Sequence, residues 1–222
     1  NSLESLRAAS QVTPVIVQYP VNPGPNFDAF IDVLLMKMYK FKGDTGIREE
    51  MEIPAEEMER ATELNRILTE AAAENDEALM ELYFEKGVLT QDELRSGLKL
   101  GLAKRDVIPV FCASGKRDIG AKRLMEFIIN VAPGPLKAPN FLTVDGEEIE
   151  PDSNGPTALF IFKNIVEPHL GEVTYFRVIS GKVTEGMELV NSKTGNKEKI
   201  SQLFAVAGKN RIKVTEMMAG DI

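Results

Sequence analysis

The chain has 222 residues and a formal net charge of −8, and 43% of its residues are hydrophobic. A chain of this length can bury a hydrophobic core without disulfide bonds or structural metal ions. Its single cysteine, Cys112, excludes a disulfide framework and favours a reducing compartment. No apolar run approaches the roughly 18–20 residues of a membrane span and no signal peptide is recognised, so cytoplasmic localisation without membrane contact is predicted. The chain lacks an initial methionine, and both of its ends are expected to be cut.

The acidity is concentrated in one segment. Residues 47–94 carry 15 acidic and 4 basic side chains, whereas the remainder carries 19 acidic and 22 basic ones. This distribution indicates either a basic partner for the segment or a solvated helical surface, and charge alone leaves both open. The whole chain shows no basic footprint for nucleic acid, so DNA binding is not expected and any RNA contact must be local.

The first part of the chain mixes helix and buried-strand patterns. Residues 2–10 are typical of the last turns of a helix, and residues 14–20 form one continuous apolar run, as in a buried strand of an α/β sheet. The Pro/Gly cluster at 22–25 breaks the chain. The apolar run at 30–38 leaves helix and strand open.

Three helices are predicted in the acidic segment. Pro54 is expected at the first helical position, and an apolar stripe of helical period follows over residues 58–71. A second helix is expected to close at Gly87 in the left-handed conformation. The run Thr-Gln-Asp-Glu at 90–93 predicts a capping box for a third helix, which should end near Gly101.

A proline-rich connection then separates a region of mixed helix and strand patterns from a region of short strands. Residues 107–112 indicate another buried strand and 120–131 a helix, after which Pro133-Gly134-Pro135 and Pro139 indicate a stiff connection. The predicted domains are 1–136, with an inserted acidic helical subdomain at about 22–106, and 137–222. Short strands bounded by glycine turns in the second domain predict a small antiparallel barrel or sandwich. The strands are predicted at 158–162, 173–179, 188–191, 199–206 and 212–217.

An ordered series of motifs extends from Pro14 to the end of the chain. Its members are Pro-Val-Ile-Val-Gln-Tyr-Pro-Val at 14–21, Asn26-Phe27 with Ile31-Asp32, Ile53-Pro54-Ala55, residues 77–83 and 90–94, Val110-Phe111-Cys112-Ala113-Ser114 with Gly120, Pro135-Leu136, and Gly171, Tyr175-Phe176-Arg177-Val178 and Ser180-Gly181. Together they resemble elongation factor G. Ala29, Gly115 and Glu172 depart from that family's usual glycine, alanine and basic residue, which suggests a divergent paralogue.

The resemblance implies a multidomain α and β fold. Its first part would be the C-terminal part of an α/β P-loop GTPase domain with a mainly helical insertion, and its second a partial antiparallel β-barrel, translation-factor domain II. The implied function is a ribosome-binding GTPase that couples GTP hydrolysis to translocation of tRNA and mRNA, with GTP or GDP and Mg²⁺ as cofactors of the full-length protein. A non-hydrolysing ribosome-binding paralogue and a ribosome-protection or release-type factor remain alternatives.

The phosphate-binding motifs of a GTPase are absent from these residues. No GxxxxGK[ST] loop is present, and Gly-Lys-Arg-Asp at 115–118 lacks the asparagine of the Asn-Lys-x-Asp motif. Asp-Ser-Asn-Gly at 152–155 has DxxG spacing but follows the proline-rich connection in a polar turn, and we interpret it as chance. The chain by itself is therefore predicted to be inactive, with no catalytic residue, metal ligand or bound cofactor.

Ser114 and Gly115 are the candidate residues of a guanine-binding loop that the resemblance implies. The backbone N–H of Gly115 would approach the guanine carbonyl, and glycine offers no side chain to obstruct it. The alternative is a strand-to-helix turn in which Ser114 caps the helix. His169, the sole histidine, is interpreted as a loop residue and Cys112 as a core residue.

Two surfaces are implied as ribosome contacts. The insertion would meet the ribosomal stalk protein through acidic side chains, namely Glu56, Glu59, Glu63, Glu70, Glu77 and Glu81. Domain II would contact small-subunit RNA through basic side chains, namely Arg177, Lys182, Lys197 and Lys199, with Lys193, Lys209 and Arg211 on the same face. An ordinary solvated surface remains the alternative for both.

Overall fold

The computed structural model describes residues 2–12, 14–137, 139–168, 171–208 and 210–222. The chain forms two compact units, Asn1–Pro133 and Gly134–Ile222. The interpretations of His169 and Lys209 lie outside the described residues. Within the described ranges, no helix is both long and apolar enough to cross a membrane.

The first unit combines a parallel strand pair, an antiparallel sheet and helices. Helix α1 (Ser2–Ala9) comes first, and β1 (Pro14–Ile16) pairs in parallel with β6 (Ile108–Val110). The antiparallel sheet has the order β2-β3-β4-β5, with β2 at Gln18–Pro20, β3 at Ala29–Asp32, β4 at Lys37–Phe41 and β5 at Arg48–Met51. The remaining helices are α2 (Ala55–Ala73), α3 (Glu77–Lys86), α4 (Gln91–Lys104) and α5 (Ala121–Val131).

The single strand predicted at 14–20 is in fact two strands that belong to different sheets. At Val17 the N–H donates to the carbonyl of Val110 (2.9 Å), whereas the carbonyl accepts from Val33 N–H (2.8 Å). The chain therefore passes from the parallel pair to the antiparallel sheet at this residue. The undecided run at 30–38 lies in β3, β4 and the turn between them, so residues 22–106, predicted as a helical insertion, contain three strands besides three helices.

The predicted helix caps are present, with small shifts in position. Pro54 is the N-cap residue of α2 and not its first helical residue. Gly87 closes α3 with φ 72°, as predicted. The capping box of α4 is confirmed, because Glu93 N–H donates to Thr90 Oγ1 (3.3 Å) and Glu93 Oε2 accepts from Thr90 N–H (2.7 Å).

The predicted end of α4 at Gly101 is wrong, because α4 continues to Lys104. A Cβ at Gly101 would lie 2.6 Å from the side chain of Val107 and 2.7 Å from that of Asn75. This glycine therefore permits close packing inside the unit and does not end the helix. Gly97, one turn earlier, has the same role against the carbonyl of Ala72 in α2.

The main core of the first unit lies among its sheets and helices. It contains sixteen buried residues, among them Ile31, Leu68 and Leu98, which are fully enclosed. A second cluster groups Phe30, Tyr39, Phe41 and Ile119. Burial of each such large side chain contributes about 1.5–3 kcal/mol, so this unit has a substantial hydrophobic stabilisation.

A buried polar network ties α5 to the antiparallel sheet. Arg123 Nε donates to Asp32 Oδ2 at 2.6 Å, and both side chains are almost completely buried. Gln18 Nε2 donates to the same oxygen at 3.2 Å, and Leu35 N–H donates to Asp32 Oδ1 at 2.9 Å. The network thus fixes the position of α5 and of the loop that enters it.

The second unit is built from pairs of antiparallel strands after a 3₁₀ turn at Pro135–Lys137. The pairs are β7 (Phe141–Leu142) with β8 (Glu148–Ile149), β9 (Ala158–Glu167) with β10 (Gly171–Ser180), β11 (Lys182–Thr184) with β16 (Glu216–Met218), β12 (Glu188–Val190) with β13 (Lys197–Lys199), and β14 (Leu203–Ala207) with β15 (Asn210–Val214). Its core consists of Val178, Val183, Leu203 and Met217, with partly buried neighbours.

The predicted barrel is not closed among the described residues, where each strand has one ladder partner. The strand predicted at 199–206 divides into β13 and β14, and that at 212–217 divides into β15 and β16. Strand β13 pairs with β12, whereas β14 pairs with β15, and β16 pairs with β11. The chain therefore bends at Thr215, where it passes from the β14–β15 ladder to the β11–β16 ladder. Strands β7 and β8 were not predicted, because they are only two residues long. The glycine-bounded run at 171–186 predicts two strands joined by a tight turn as a hairpin; both strands are present, but the hairpin is wrong, because β10 pairs with β9 and β11 with β16.

Candidate functional site

A pocket of about 550 Å³ opens at the carboxyl ends of the parallel strands β1 and β6. One wall consists of residues 20, 23–25 and 27, at the end of β2 and in the loop that follows it, and the other of residues 111–114, 116 and 117, which follow β6. We call it the edge pocket. In open α/β sheets, ligands bind in the crevice outside the carboxyl ends of the strands. The position of this pocket therefore makes it the leading candidate site.

The β6–α5 loop, residues 111–120, forms the polar wall of the edge pocket. Ser114 N–H donates to the carbonyl of Ile119 (2.9 Å), and Ile119 N–H donates to the carbonyl of Ser114 (3.0 Å). These bonds close a tight loop in which Asp118 adopts φ 51°. The N-cap of α5 is Gly120 and no side chain caps the helix, so the alternative role of Ser114 as a helix cap is wrong.

The two sequence-predicted loop residues occupy different positions at the edge pocket. Ser114 lines it, and Gly115 stands exposed between the lining residues Ser114 and Lys116. A Cβ at Gly115 would meet no atom within 4 Å, and its backbone φ is not positive. Neither the backbone conformation nor packing therefore requires a glycine here, and the residue is exposed beside the pocket.

The apolar wall of the edge pocket is rich in rings. Proline and phenylalanine side chains line it at 20, 23, 25 and 27, and Phe111 adds a further ring from the opposite wall. Cys112, predicted as a core residue, is half-buried and lines the same pocket. Burial raises the pKa of the Cys112 thiol to about 12, so it stays protonated at neutral pH.

Arg117 is a site residue that sequence reasoning missed. Its guanidinium donates from Nε to Asp44 Oδ1 (2.7 Å) and from Nη1 to the carbonyl of Phe27 (2.6 Å). Its two partners lie 73 and 90 positions away along the chain. No local pattern in the sequence could have indicated this contact.

The six glutamates proposed for a protein partner do not share one environment. Glu63 and Glu70 on α2 flank Arg66, which donates to Glu63 Oε1 at 2.7 Å and lowers the pKa of Glu63 by hydrogen bonding. Within the described part of the chain, the other four form no ion pair: these are Glu56, Glu59, Glu77 and Glu81. The uncompensated charge is therefore at the start of α2 and on α3.

Helix α3 combines this acidity with exposed apolar side chains. It buries none of its residues, and Phe84 is 79% exposed. Val88, one turn beyond, is 68% exposed. Glu77, Glu81 and Phe84 follow helical spacing within α3, so acidic and apolar groups share one side of the helix.

The four basic candidates in the second unit also differ. Arg177 is half-buried, with its guanidinium 5.7 Å from the centre of the Phe141 ring, so it packs inside the unit. Lys182 Nζ lies 3.9 Å from Glu216 Oε1, so this lysine is part of an ion pair. Lys197 and Lys199 are exposed two positions apart on β13, so they project from the same face of the strand.

Comparison with known proteins identifies the second unit first. Residues 156–222 match the protein family described as Elongation factor G domain 2. A crystal structure of a protein from Thermus thermophilus matches 99% of this chain with a TM-score of 0.78 and 28% identity. The resemblance to elongation factor G found in the sequence is thereby confirmed. It spans 30% of the length of that Thermus chain.

Proposed function

We propose that the chain is part of a ribosome-binding GTPase of the elongation factor G type, which couples GTP hydrolysis to translocation of tRNA and mRNA in the cytoplasm. The observation that carries this proposal is the edge pocket and its exposed β6–α5 loop, in a chain whose residues 156–222 match the elongation factor G family. The following features support it.

The first unit has the features of part of a larger α/β domain. Parallel strands normally lie in sheets that are covered on both faces, but β1 and β6 pair only with each other among the described residues. Helix α5 exposes Met125 (56%), Ile128 (45%) and Ile129 (76%). We propose that further strands and helices of a GTPase domain pair with the open strand edge and cover this apolar face.

The edge pocket suits the base of a guanine nucleotide. Its ring-rich wall offers a surface on which a planar base can stack, and the exposed peptide at Gly115 offers an N–H donor for the guanine carbonyl. Binding of the phosphates and Mg²⁺ would fall to other parts of the whole protein. In the described ranges, no cluster of three or more His, Cys, Asp or Glu side chains could hold a metal ion.

Partners are proposed on the same basis. The exposed acidic side of α3, with Glu77 and Glu81 beside Phe84, would bind the ribosomal stalk protein. Lys197 and Lys199 on β13 would contact phosphates of small-subunit RNA. Arg177 is left out of this RNA contact because it packs against Phe141.

The test measures GTP hydrolysis, with and without ribosomes, by the whole protein and by this chain alone. We expect ribosome-stimulated turnover by the whole protein and none by the chain. Binding without turnover by the whole protein would favour the non-hydrolysing paralogue. Turnover by the chain alone, or an absence of both nucleotide and ribosome binding by the whole protein, would contradict the proposal.

A further inference from the structure

We propose that Arg117 is a positioning residue that latches the walls of the edge pocket together and connects them to the inserted antiparallel sheet. Only the identity of the ligand rests on the function proposed above. The latch itself is a property of three loops in the first unit, so it can be tested without any nucleotide.

The geometry shows one side chain that joins three segments. Arg117 belongs to the β6–α5 loop, and its Nη1 donates to the carbonyl of Phe27 (2.6 Å) in the opposite wall of the pocket. Its Nε donates to Asp44 Oδ1 (2.7 Å) in the β4–β5 turn. The Arg117 side chain is 28% exposed, so these charge-assisted bonds are partly shielded from water.

The β4–β5 turn is fitted closely against the same loop. A Cβ at Gly46 would lie 2.2 Å from the carboxylate of Asp118, so the turn and the loop are in close contact at this point. Asp118 has the left-handed backbone conformation that this loop requires. The turn thus touches the loop directly, and Arg117 fastens it there.

An arginine is required because the two acceptors lie in different directions. Nε and Nη1 of a planar guanidinium can reach a carboxylate and a carbonyl at the same time, whereas the single ammonium of a lysine cannot hold both with this geometry. Loss of Arg117 would leave the wall at residues 23–27 without its bond to the β6–α5 loop. The pocket would then open, and Cys112 in its lining would become accessible.

The thiol of Cys112 gives a direct readout of the latch. It is the only cysteine of the chain, and burial keeps its pKa at about 12. Only the thiolate attacks an aryl disulfide reagent, so opening of the pocket should shift the pH–rate profile of the reaction to lower pH. A fall of one pKa unit would raise the thiolate fraction at pH 8 about tenfold, and the rate about threefold, because a more acidic thiolate is a weaker nucleophile.

We expect R117A to show this increase in the 222-residue chain. R117K and D44N should each show a smaller increase, because R117K loses one of the two contacts and D44N weakens the other by removing its charge. The control is R66A, which removes an arginine that binds two glutamates on α2, away from the pocket, and should leave the rate unchanged.

Circular dichroism and the unfolding midpoint of each variant show whether it remains folded. Wild-type thiol rates in a folded R117A would overturn the latch. If R117A does not fold, wild-type rates in both R117K and D44N would overturn it instead.

A second arm measures GDP affinity of the whole protein. We expect R117A to weaken GDP binding about tenfold, equivalent to about 1.4 kcal/mol. Equal GDP affinity in wild type and R117A would show that the latch does not position the ligand. If the thiol rates behave as expected but wild type binds no GDP, the latch stands and the proposed nucleotide function fails.

Discussion

The two units of this chain are stabilised in different ways. The first unit surrounds its sheets with helices, and it buries two hydrophobic clusters and an arginine–aspartate pair. The second unit consists of two-stranded antiparallel ladders around a cluster of four buried residues. Its longest pair leaves large side chains in water, including Phe160 (60% exposed) and Val166 (78%).

This difference follows from how each unit covers its strands. A sheet face covered by helices encloses side chains on all sides, whereas a strand pair without a second layer leaves one face open. The first unit should therefore respond strongly to changes in its interior. The second unit should lose less stability when its interior residues are substituted, and it should associate more readily through its exposed strands.

The largest effect is expected at the buried ion pair of the first unit. R123M leaves Asp32 buried without its charged partner, and should lower the free energy of unfolding by about 3–5 kcal/mol. Tyrosine fluorescence during urea unfolding reports mainly this unit, because three of the four tyrosines, Tyr19, Tyr39 and Tyr83, lie in it and the chain has no tryptophan. R95M, which removes an exposed ion pair with Asp92, should change stability by less than about 1 kcal/mol. Equal effects of both substitutions would contradict the role of the network.

The next comparison uses matched leucines in the two cores. Leu68 is 0% and Leu203 1% exposed, so each Leu→Ala change removes the same buried atoms. We expect a loss of about 3–5 kcal/mol for L68A and about 2–3 kcal/mol for L203A, because the smaller core can collapse into the cavity more easily. Circular dichroism during urea unfolding measures both. A larger loss for L203A would overturn the contrast between the units.

A smaller effect is expected at the capping box of α4. T90A removes the hydroxyl that caps Glu93 N–H, and should cost about 1 kcal/mol. The pKa of Glu93 is lowered from 4.5 because its carboxylate accepts hydrogen bonds from the Thr90 hydroxyl and N–H. The ionised carboxylate therefore stabilises the folded state above pH 4.5. This stabilisation is lost as the pH falls through the lowered pKa. T90A should lose less of its stability in acid than wild type, and an unchanged acid dependence would refute the capping contribution.

The smallest effect on stability, and the clearest on association, is expected at β9. V166K places a charge on an exposed position and should change unfolding by no more than about 0.5 kcal/mol. Light scattering at increasing concentration should show less self-association for V166K than for wild type. A wild-type chain that stays monomeric at high concentration would contradict the exposed-strand interpretation.

Local signals in the sequence predicted the helices and their caps well. Thr90 and Glu93 form the expected box and Gly87 the expected left-handed end, because such caps involve residues three or four positions apart. The predicted end of α4 at Gly101 was wrong because glycine also occurs where a helix packs closely against a neighbour, here Val107.

Strand partners and long-range contacts could not be read from the sequence. The chain leaves one sheet and enters another at Val17, which is why the strand breaks there. It bends at Thr215 because β15 pairs with β14 and β16 pairs with β11. The sequence placed Ser114 at a candidate pocket through family resemblance, but the opposite wall and Arg117 depend on tertiary contacts. Neither hydrophobic period nor turn chemistry encodes such contacts locally.

The most direct test of the central claim is calorimetric titration of the whole protein with GDP, comparing G115D with G134D. Both glycines are exposed with space for a side chain, but only Gly115 adjoins the lining of the edge pocket. We expect G115D to weaken GDP binding at least about tenfold, because its carboxylate would repel the guanine carbonyl, and G134D to bind as wild type does. Equal GDP affinity in G115D and wild type would contradict the assignment of the edge pocket to the guanine base.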